Sequence, residues 1–287
     1  MRVGTRSGGG LSFGLDRAAV SRSMAWEVDS NARFVLPVLL AALQDRRAVV
    51  VEIAIVVPLY NEADNVDPLV DELTRVFASV AAPWEIVLVD DGSRDGTWER
   101  IRARAARDSR VRGLRHGSNR GQSAAVWTGL TGTSARLICT LDGDLQNDPA
   151  ELPRMLGMLG EHWDFVCGHR VERRDNWVRK VSSRVARWAR GAALGHDFAD
   201  TGCALRAFKR EALEGVFCFN GLHRFLPILV AGNGSRCREV AVRHRARVAG
   251  VSKYGVWNRL GRGVFDLVGV AWYQRRRIRR VTVERTG

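Results

Sequence analysis

From Val51 onward, short runs of β-branched and aliphatic residues alternate with stretches of helical spacing, and that alternation restricts the fold more than any other feature. Ile53 to Val57 is continuously apolar, as a strand covered on both faces should be. Asp64 to Ser79 then places Val66, Leu69, Val70, Leu73, Val76 and Phe77 at a helical period, with Asp64 positioned to cap it. Glu85 to Val89 is a second buried run, followed by a helix from about Asp95 to Arg107. Val111 to Arg115 predicts a third strand, Gly121 to Thr131 a helix, and Leu137 to Leu141 a fourth strand. Pro149 to Leu159 reads as the next helix, with proline in its first turn. This order predicts an α/β fold: a mostly parallel central sheet with helices on both faces. After Asp164 to Cys167 the pattern loosens into basic helices around 176–193 and 208–215.

Residues 1–50 lack this periodicity. Gly8-Gly9-Gly10 and scattered arginines read as a poorly ordered extension, or as an upstream stretch carried into the reading frame. The apolar stretch there comes late and lacks a small-residue cleavage site, so a signal peptide is not expected. The expected organisation is this extension, a principal domain over 51–259, and a C-terminal segment over 260–287. No apolar run reaches membrane-spanning length: Phe34 to Leu43 is short and broken by Pro37, and Val264 to Tyr273 contains Asp266. The five cysteines form no C-x-x-C pair and are odd in number, which fits free thiols in a reducing, cytoplasmic setting.

The C-terminal segment carries Leu260, Val264, Leu267, Val268 and Ala271 at helical spacing, then Trp272 and Tyr273, then a polybasic run from Arg275 to Arg280. Two readings stand: an amphipathic anchor for an anionic membrane surface, or a core helix followed by a solvated tail. Trp188, Trp257 and Trp272 read as core or interface anchors.

The net charge of +14 is unevenly spread. Residues 51–160 carry 12 basic and 16 acidic side chains, whereas residues 161–287 carry 26 basic and 11 acidic ones, a net of +15. The second half therefore suits a polyanionic partner: nucleic acid, a phosphorylated substrate or an anionic membrane. Only three of the 45 basic residues are lysine, so a general arginine bias inflates the count.

Open parallel sheets bind ligands beyond the carboxyl ends of their strands. The first strand runs into Pro58-Leu59-Tyr60-Asn61-Glu62, the second into Asp90-Asp91-Gly92-Ser93, and the fourth into Asp142-Gly143-Asp144-Leu145-Gln146. Paired carboxylates at a strand mouth repel one another unless a cation sits between them, and hard oxygen ligands suit Mg2+ or Mn2+. Asp-Gly is also common in solvated turns, so either pair alone carries little. Two such pairs on successive ends of one sheet point to a nucleotide-plus-metal site. No G-x-x-x-x-G-K-[ST], no G-x-G-x-x-G after the first strand and no G-x-S-x-G elbow is present, and the six histidines show no metal-ligand spacing.

These segments resemble the family-2 glycosyltransferases of the GT-A fold. More narrowly, they are similar to the branch that glycosylates polyprenyl phosphates, typified by dolichol-phosphate mannose synthase and its bacterial undecaprenyl-phosphate relatives. The resemblance runs from about Glu52 to Tyr273 and also takes in Asn119-Arg120-Gly121-Gln122 and later Arg-Lys, Gly-Cys and Ser-Lys blocks. It implies that Pro58, Tyr60 and Glu62 cradle the donor base and ribose, and that Asp90 and Asp91 contact the nucleotide. It implies that Asp142 and Asp144 hold a Mg2+ or Mn2+ ion on the donor diphosphate, with Gln146 as a further ligand. Arg170, Arg179 and Ser183 fall where the family binds phosphate, with Arg179 equally readable as part of a solvated helix face. Asp200, Gly202 and Arg206 match an acceptor-side block, and Arg247, Ser252 and Lys253 match a late segment that closes over phosphates. Asp144, Asp200 and Arg179 are thus the candidate catalytic residues. Gly143 stands where the family often has alanine, which is expected to loosen the turn.

The resemblance implies an inverting, metal-dependent transfer of a hexose from GDP-mannose or a UDP-sugar to polyprenyl phosphate. A phosphate oxygen is already ionised near neutral pH, so the nucleophile needs positioning by cations more than a general base. It also implies a chain peripheral on the cytoplasmic face of the membrane, or one dependent on a membrane-protein partner. The alternatives are a family-2 transferase acting on another lipid or glycan, and a basic nucleic-acid-binding module whose affinity would fall steeply with salt.

Overall fold

The computed structural model describes residues 51–170, 195, 198–245 and 256–277. The readings for 1–50 and for a helix over 176–193 lie outside them. The chain opens with β1 (Ile53–Leu59), α1 (Ala63–Phe77), β2 (Trp84–Asp90), α2 (Thr97–Arg107) and β3 (Val111–Arg115). It continues through α3 (Gln122–Thr131), β4 (Leu137–Thr140), α4 (Glu151–Gly157), β5 (Phe165–Arg170) and β6 (Arg206–Lys209). A 3-10 turn (Arg210–Leu213), α5 (Leu222–Gly232), β7 (Cys237–Val242) and α6 (Val256–Arg276) complete it.

The seven strands form one sheet in the order β3-β2-β1-β4-β6-β5-β7. All neighbouring pairs run parallel except the two made by β6, which is antiparallel to both β4 and β5. The sheet is mostly parallel, as the alternation predicts. Both faces are covered because strand residues alternate in direction. Ile53, Ile55, Val57 and Leu59 pack under α1, α2 and α4 with Val66, Leu69, Leu73, Phe77, Ile101 and Met155. Val56, Val87, Val89 and Ile138 pack on the other side with α3 and α5. Each buried Leu or Ile removed from water there contributes about 1.5–3 kcal/mol. Gly129 lets α3 lie close to β1, because a methyl at that position would come within 2.3 Å of Val56 Cγ1.

The expectation for Asp64 is corrected. The α1 N-cap position belongs to Glu62, whose side chain makes no capping bond, and Asp64 sits in the first turn. The exposed Ala63 N–H is met from the next loop, by Asp95 Oδ2 at 3.2 Å. A helix over 208–215 is also corrected. Phe208 is fully buried in β6, stacked on Phe165 with ring centroids 5.1 Å apart, and only the 3-10 turn follows. Pairing on two sides overrides the local helical pattern of this short segment.

The strand order reverses at β1. The connections from β1 through α1 and β2 through α2 step towards β3, whereas α3 carries the chain back across to β4. A topological switch point therefore lies between the carboxyl ends of β1 and β4, where open sheets of this kind bind ligands.

Candidate active site

The loops after β1 and β2 are stitched together. Asn61 N–H donates to Ser93 Oγ at 2.9 Å, Arg94 N–H donates to Asn61 Oδ1 at 2.9 Å, and Glu62 N–H donates to Thr97 Oγ1 at 2.9 Å. Asn61 adopts a left-handed backbone, φ 51°, which asparagine tolerates better than most residues. Glu62 takes the Asn65 side-chain amide at 2.6 Å. Tyr60 lines a cavity of about 540 Å3 together with Ser93, Arg94, Arg115, His116 and Asn119. Pro58, next to last in β1, pairs with Val89.

Asp90 and Asp91 are both buried, and Asp90 Oδ2 has an ion-pair partner but no hydrogen-bond donor. Asp90 accepts the Ser93 N–H at 2.9 Å and pairs with Arg115 Nε at 3.1 Å. Asp91 Oδ1 meets His116 Nδ1 at 2.7 Å and the Arg120 N–H at 2.8 Å, while Oδ2 accepts the Gly121 N–H at 2.8 Å. The other nitrogen of His116 reaches Thr128 Oγ1 at 2.9 Å. The pair thus shapes the cavity wall by holding the 115–121 turn. Arg115 and His116, rather than the two carboxylates, line the cavity.

Asp142 emerges at the switch point, where Leu141 N–H still donates to Val56 O of β1 at 3.4 Å. Its Oδ1 accepts the Gln122 side-chain amide at 2.8 Å, and its N–H donates to Asn147 Oδ1 at 3.0 Å. Burial and the adjacent Asp144 push its carboxyl up to about 6, against the pull of Arg206, Arg170 and Gln122. Gly143 does not loosen this turn. A methyl there would lie 2.3 Å from Leu59 Cδ2 and 3.2 Å from the Pro58 carbonyl, so the glycine lets the β4 loop press against the end of β1. Asp144 Oδ1 accepts the Gln146 N–H at 3.2 Å, and the Gln146 side-chain amide points to the Arg245 carbonyl at 3.5 Å.

This donor set fits a divalent cation. Two neighbouring carboxylates, one of them already inclined to keep its proton, are relieved by a hard positive ion. Among the described residues no group of three or more His, Cys, Asp or Glu side chains is arranged to hold a metal. The remaining ligands would therefore come from amides, water or a bound diphosphate.

At the end of β5, Arg170 Nε and Nη2 grip Asp200 Oδ2 and Oδ1 at 2.6 and 2.9 Å. Asp200 Oδ1 also accepts the Gly202 N–H at 3.2 Å. Glu239 of β7 accepts the Ala199 and Asp200 N–H groups at 2.7 and 3.1 Å. Arg206 is 2 % exposed and gives Nη2 to the carbonyls of Thr201 at 3.1 Å and His223 at 2.7 Å. Its charge acts on Asp142 from within the sheet. Arg179, Ser183, Arg247, Ser252 and Lys253 lie outside the described residues.

Several site residues have no role in the sequence reading. Gln122 reaches Asp142 from the start of α3, and its signal was its place in the Asn119–Gln122 block. Ser123 Oγ meets His223 Nδ1 at 2.7 Å and accepts the Gly221 N–H at 2.9 Å, which joins the starts of α3 and α5. Burial beside Arg224 and Arg206 pushes His223 down to about 3, so it is neutral at physiological pH. No motif marked this contact, because its partners are a hundred residues apart in sequence.

A carboxylate pair at the switch point of such a sheet, on the same carboxyl edge as a cavity walled by the loop after β2, is the arrangement of an α/β transferase of GT-A type. The family model for glycosyl transferase family 2 matches residues 54–217, more than half of the chain. The chain belongs to this family and is a glycosyltransferase. It is 38% identical over 233 residues to the dodecaprenyl-phosphate galacturonate synthase of Rhizobium johnstonii, covering 79% of this chain and 69% of that one. It is 35% identical over 217 residues to the undecaprenyl-phosphate 4-deoxy-4-formamido-L-arabinose transferase of Aeromonas hydrophila, covering 75% and 66% respectively. The match therefore spans about two thirds of the length of these relatives. Among solved structures, glucosyl-3-phosphoglycerate synthase from Mycobacterium tuberculosis with Mn2+, uridine diphosphate and phosphoglyceric acid shares the fold. Its TM-score is 0.58 at 19% identity, over 78% of each chain.

Proposed function

We propose that the chain transfers a sugar from a nucleoside-diphosphate donor to a polyprenyl phosphate, with inversion at the anomeric carbon. The observation that carries this reading is the Asp142–Asp144 pair at the β1/β4 switch point, with its raised carboxyl. The names of the 38% and 35% identical relatives, both acting on prenyl phosphates, support the acceptor. They direct the donor search to uronic acids and 4-deoxy-4-formamido sugars before mannose.

The donor base and ribose lie against Tyr60, Arg115 and His116, and the diphosphate lies over Asp142 and Asp144. A bound Mg2+ or Mn2+ supplies positive charge where the leaving diphosphate becomes more negative. Arg170, fixed by Asp200, presents a positioned cation towards the acceptor side. The acceptor phosphate needs no base, and His223, pushed down to about 3, would be a poor one.

The membrane reading rests on α6. Leu267, Val270, Ala271 and Tyr273 pack on the core, whereas Phe265, Val268 and Trp272 are 80%, 64% and 65% exposed. The apolar stripe of the sequence reading is thus divided: Leu267 and Ala271 face the core, Val268 faces outward, and the exposed Trp272 keeps only the interface half of its core-or-interface reading. The outward stripe continues into the exposed Arg275 and Arg276. Phe265, Val268 and Trp272 at i, i+3 and i+7 with flanking arginines suit an anionic lipid surface. Among the described residues no helix is long and apolar enough to cross a membrane.

The deciding experiment incubates the chain with short polyprenyl phosphate, Mn2+ or Mg2+, and a panel of UDP- and GDP-sugars, and weighs the lipid product. One sugar added through phosphate is the expected result. No product with any donor, alongside salt-sensitive oligonucleotide binding, would overturn the reading.

A further inference from the structure

The segment leaving β7 comes back to the loop that carries the paired aspartates. Arg245 N–H donates to the Gln146 carbonyl at 2.8 Å, and His244 pairs with Asn147 across an isolated antiparallel bridge. The Arg245 guanidinium then forks. Nη1 meets Glu72 of α1 at 2.8 Å, and Nη2 meets Asp148 at 2.8 Å. Three pieces of the fold that are far apart in sequence are thereby tied at one side chain.

The loop so held contains a residue under strain. Leu145 adopts φ 61°, a left-handed backbone that a γ-branched side chain rarely takes and that persists only when its surroundings enforce it. From within, the loop is pinned by Asn147 Oδ1, which accepts the Asp142 N–H at 3.0 Å. From outside it is pinned by Arg245, through backbone and side chain together. Leu145 lies between Asp144 and Gln146, so a change in its backbone would shift Asp144 relative to Asp142, whose carboxyl feels the Asp144 charge.

We propose that Arg245 is a positioning residue for cation binding: its forked contacts to Glu72 and Asp148 keep Leu145 left-handed and so keep Asp144 aimed at Asp142. This rests on the reading that Asp142 and Asp144 hold a divalent ion. The guanidinium is partly exposed, so its ion pairs contribute little as bare electrostatics. What it supplies is geometry. A planar fork joins two carboxylates at fixed angles, and an ammonium does not.

The test measures free Mn2+ by electron paramagnetic resonance as full-length chain is added, without nucleotide and again with UDP and with GDP. Asp144→Ala serves as the reference for loss of the site. Arg245→Ala is expected to weaken Mn2+ binding about tenfold, the size seen when groups supporting metal ligands are removed, with an unchanged thermal midpoint. Arg245→Lys and Glu72→Gln, each keeping one arm of the fork, are expected to fall between. If Arg245→Ala does not fold, those two variants carry the test: weakened binding supports the proposal, and wild-type binding overturns it. Loss of Mn2+ in Asp144→Ala with wild-type binding in Arg245→Ala overturns the role of Arg245 alone. Wild-type binding in Asp144→Ala overturns the cation reading itself, and this proposal with it.

Discussion

Arg170 and Asp200 hold each other through both carboxylate oxygens, Nε to Oδ2 at 2.6 Å and Nη2 to Oδ1 at 2.9 Å. The pair is largely shielded, and it raises the Arg170 pKa against the pull of burial. Asp200 therefore acts as an orienting partner for the Arg170 guanidinium.

That relationship separates two roles for Asp200. Asp200→Asn is expected to cost about 1.5–3 kcal/mol of stability, because a charged bidentate contact is weakened. The Arg170→Ala/Asp200→Ala double variant should lose less than the sum of its parts, as residues in contact do. Urea unfolding of wild type, Asp200→Asn, the two single alanine variants and the double variant checks this. A general base would lose turnover in Asp200→Asn with stability intact.

The Asp142 carboxyl makes the cation-free chain sensitive to pH. It is raised to about 6 from 3.8, so the folded chain holds this proton when the unfolded chain has released it. Stability should fall as pH rises from about 4 to about 6, by at most about 3 kcal/mol, and stay lower above that window. Asp142→Asn should remove the fall. Saturating Mn2+ should stabilise the chain more at about pH 7.5 than at about pH 5, since it binds the ionised pair. Chemical denaturation across that range, with and without Mn2+, measures both.

Gly143 sits where no side chain fits without displacing Leu59. Gly143→Ala is expected to cost about 1–3 kcal/mol through overpacking and to lower turnover by shifting Asp142 and Asp144. Calorimetry and a metal titration of the variant check this. A variant as stable and as active as wild type would show that the β4 loop yields freely.

The α6 stripe predicts a separable membrane function. Phe265→Ser/Trp272→Ser should leave the unfolding midpoint unchanged, because both side chains are exposed, yet reduce sedimentation with anionic vesicles. Neutral vesicles should bind less than anionic ones, and added salt should weaken binding to the latter. Equal sedimentation of variant and wild type would remove the stripe from the membrane account.

The strands that build the site were legible because each is an apolar run ending abruptly in acid: β1 before Tyr60-Asn61-Glu62, β2 at Asp90-Asp91, and β4 before Asp142. Fully buried parallel strands announce themselves this way, and the spacing of their acidic ends already placed the candidate site at one edge. The second half was less legible. The four residues of β6 and the half-exposed β7 carry no run long enough to show a period, and they are strands only because β4 and β5 offer them partners.

The sequence by itself determined the alternation of elements, the parallel core and the identity of the acidic residues at the strand ends, since these depend on local apolar spacing. Only the tertiary structure decided which partner each of these acids meets. Asp91 is taken by His116 and backbone N–H groups, and Asp200 by Arg170, while Asp142 meets Gln122 and is held near Asp144 with a raised pKa. It also decided which face of α6 meets the core. Partnership of charges and choice of face depend on contacts between residues tens to hundreds of positions apart, and no local pattern encodes those.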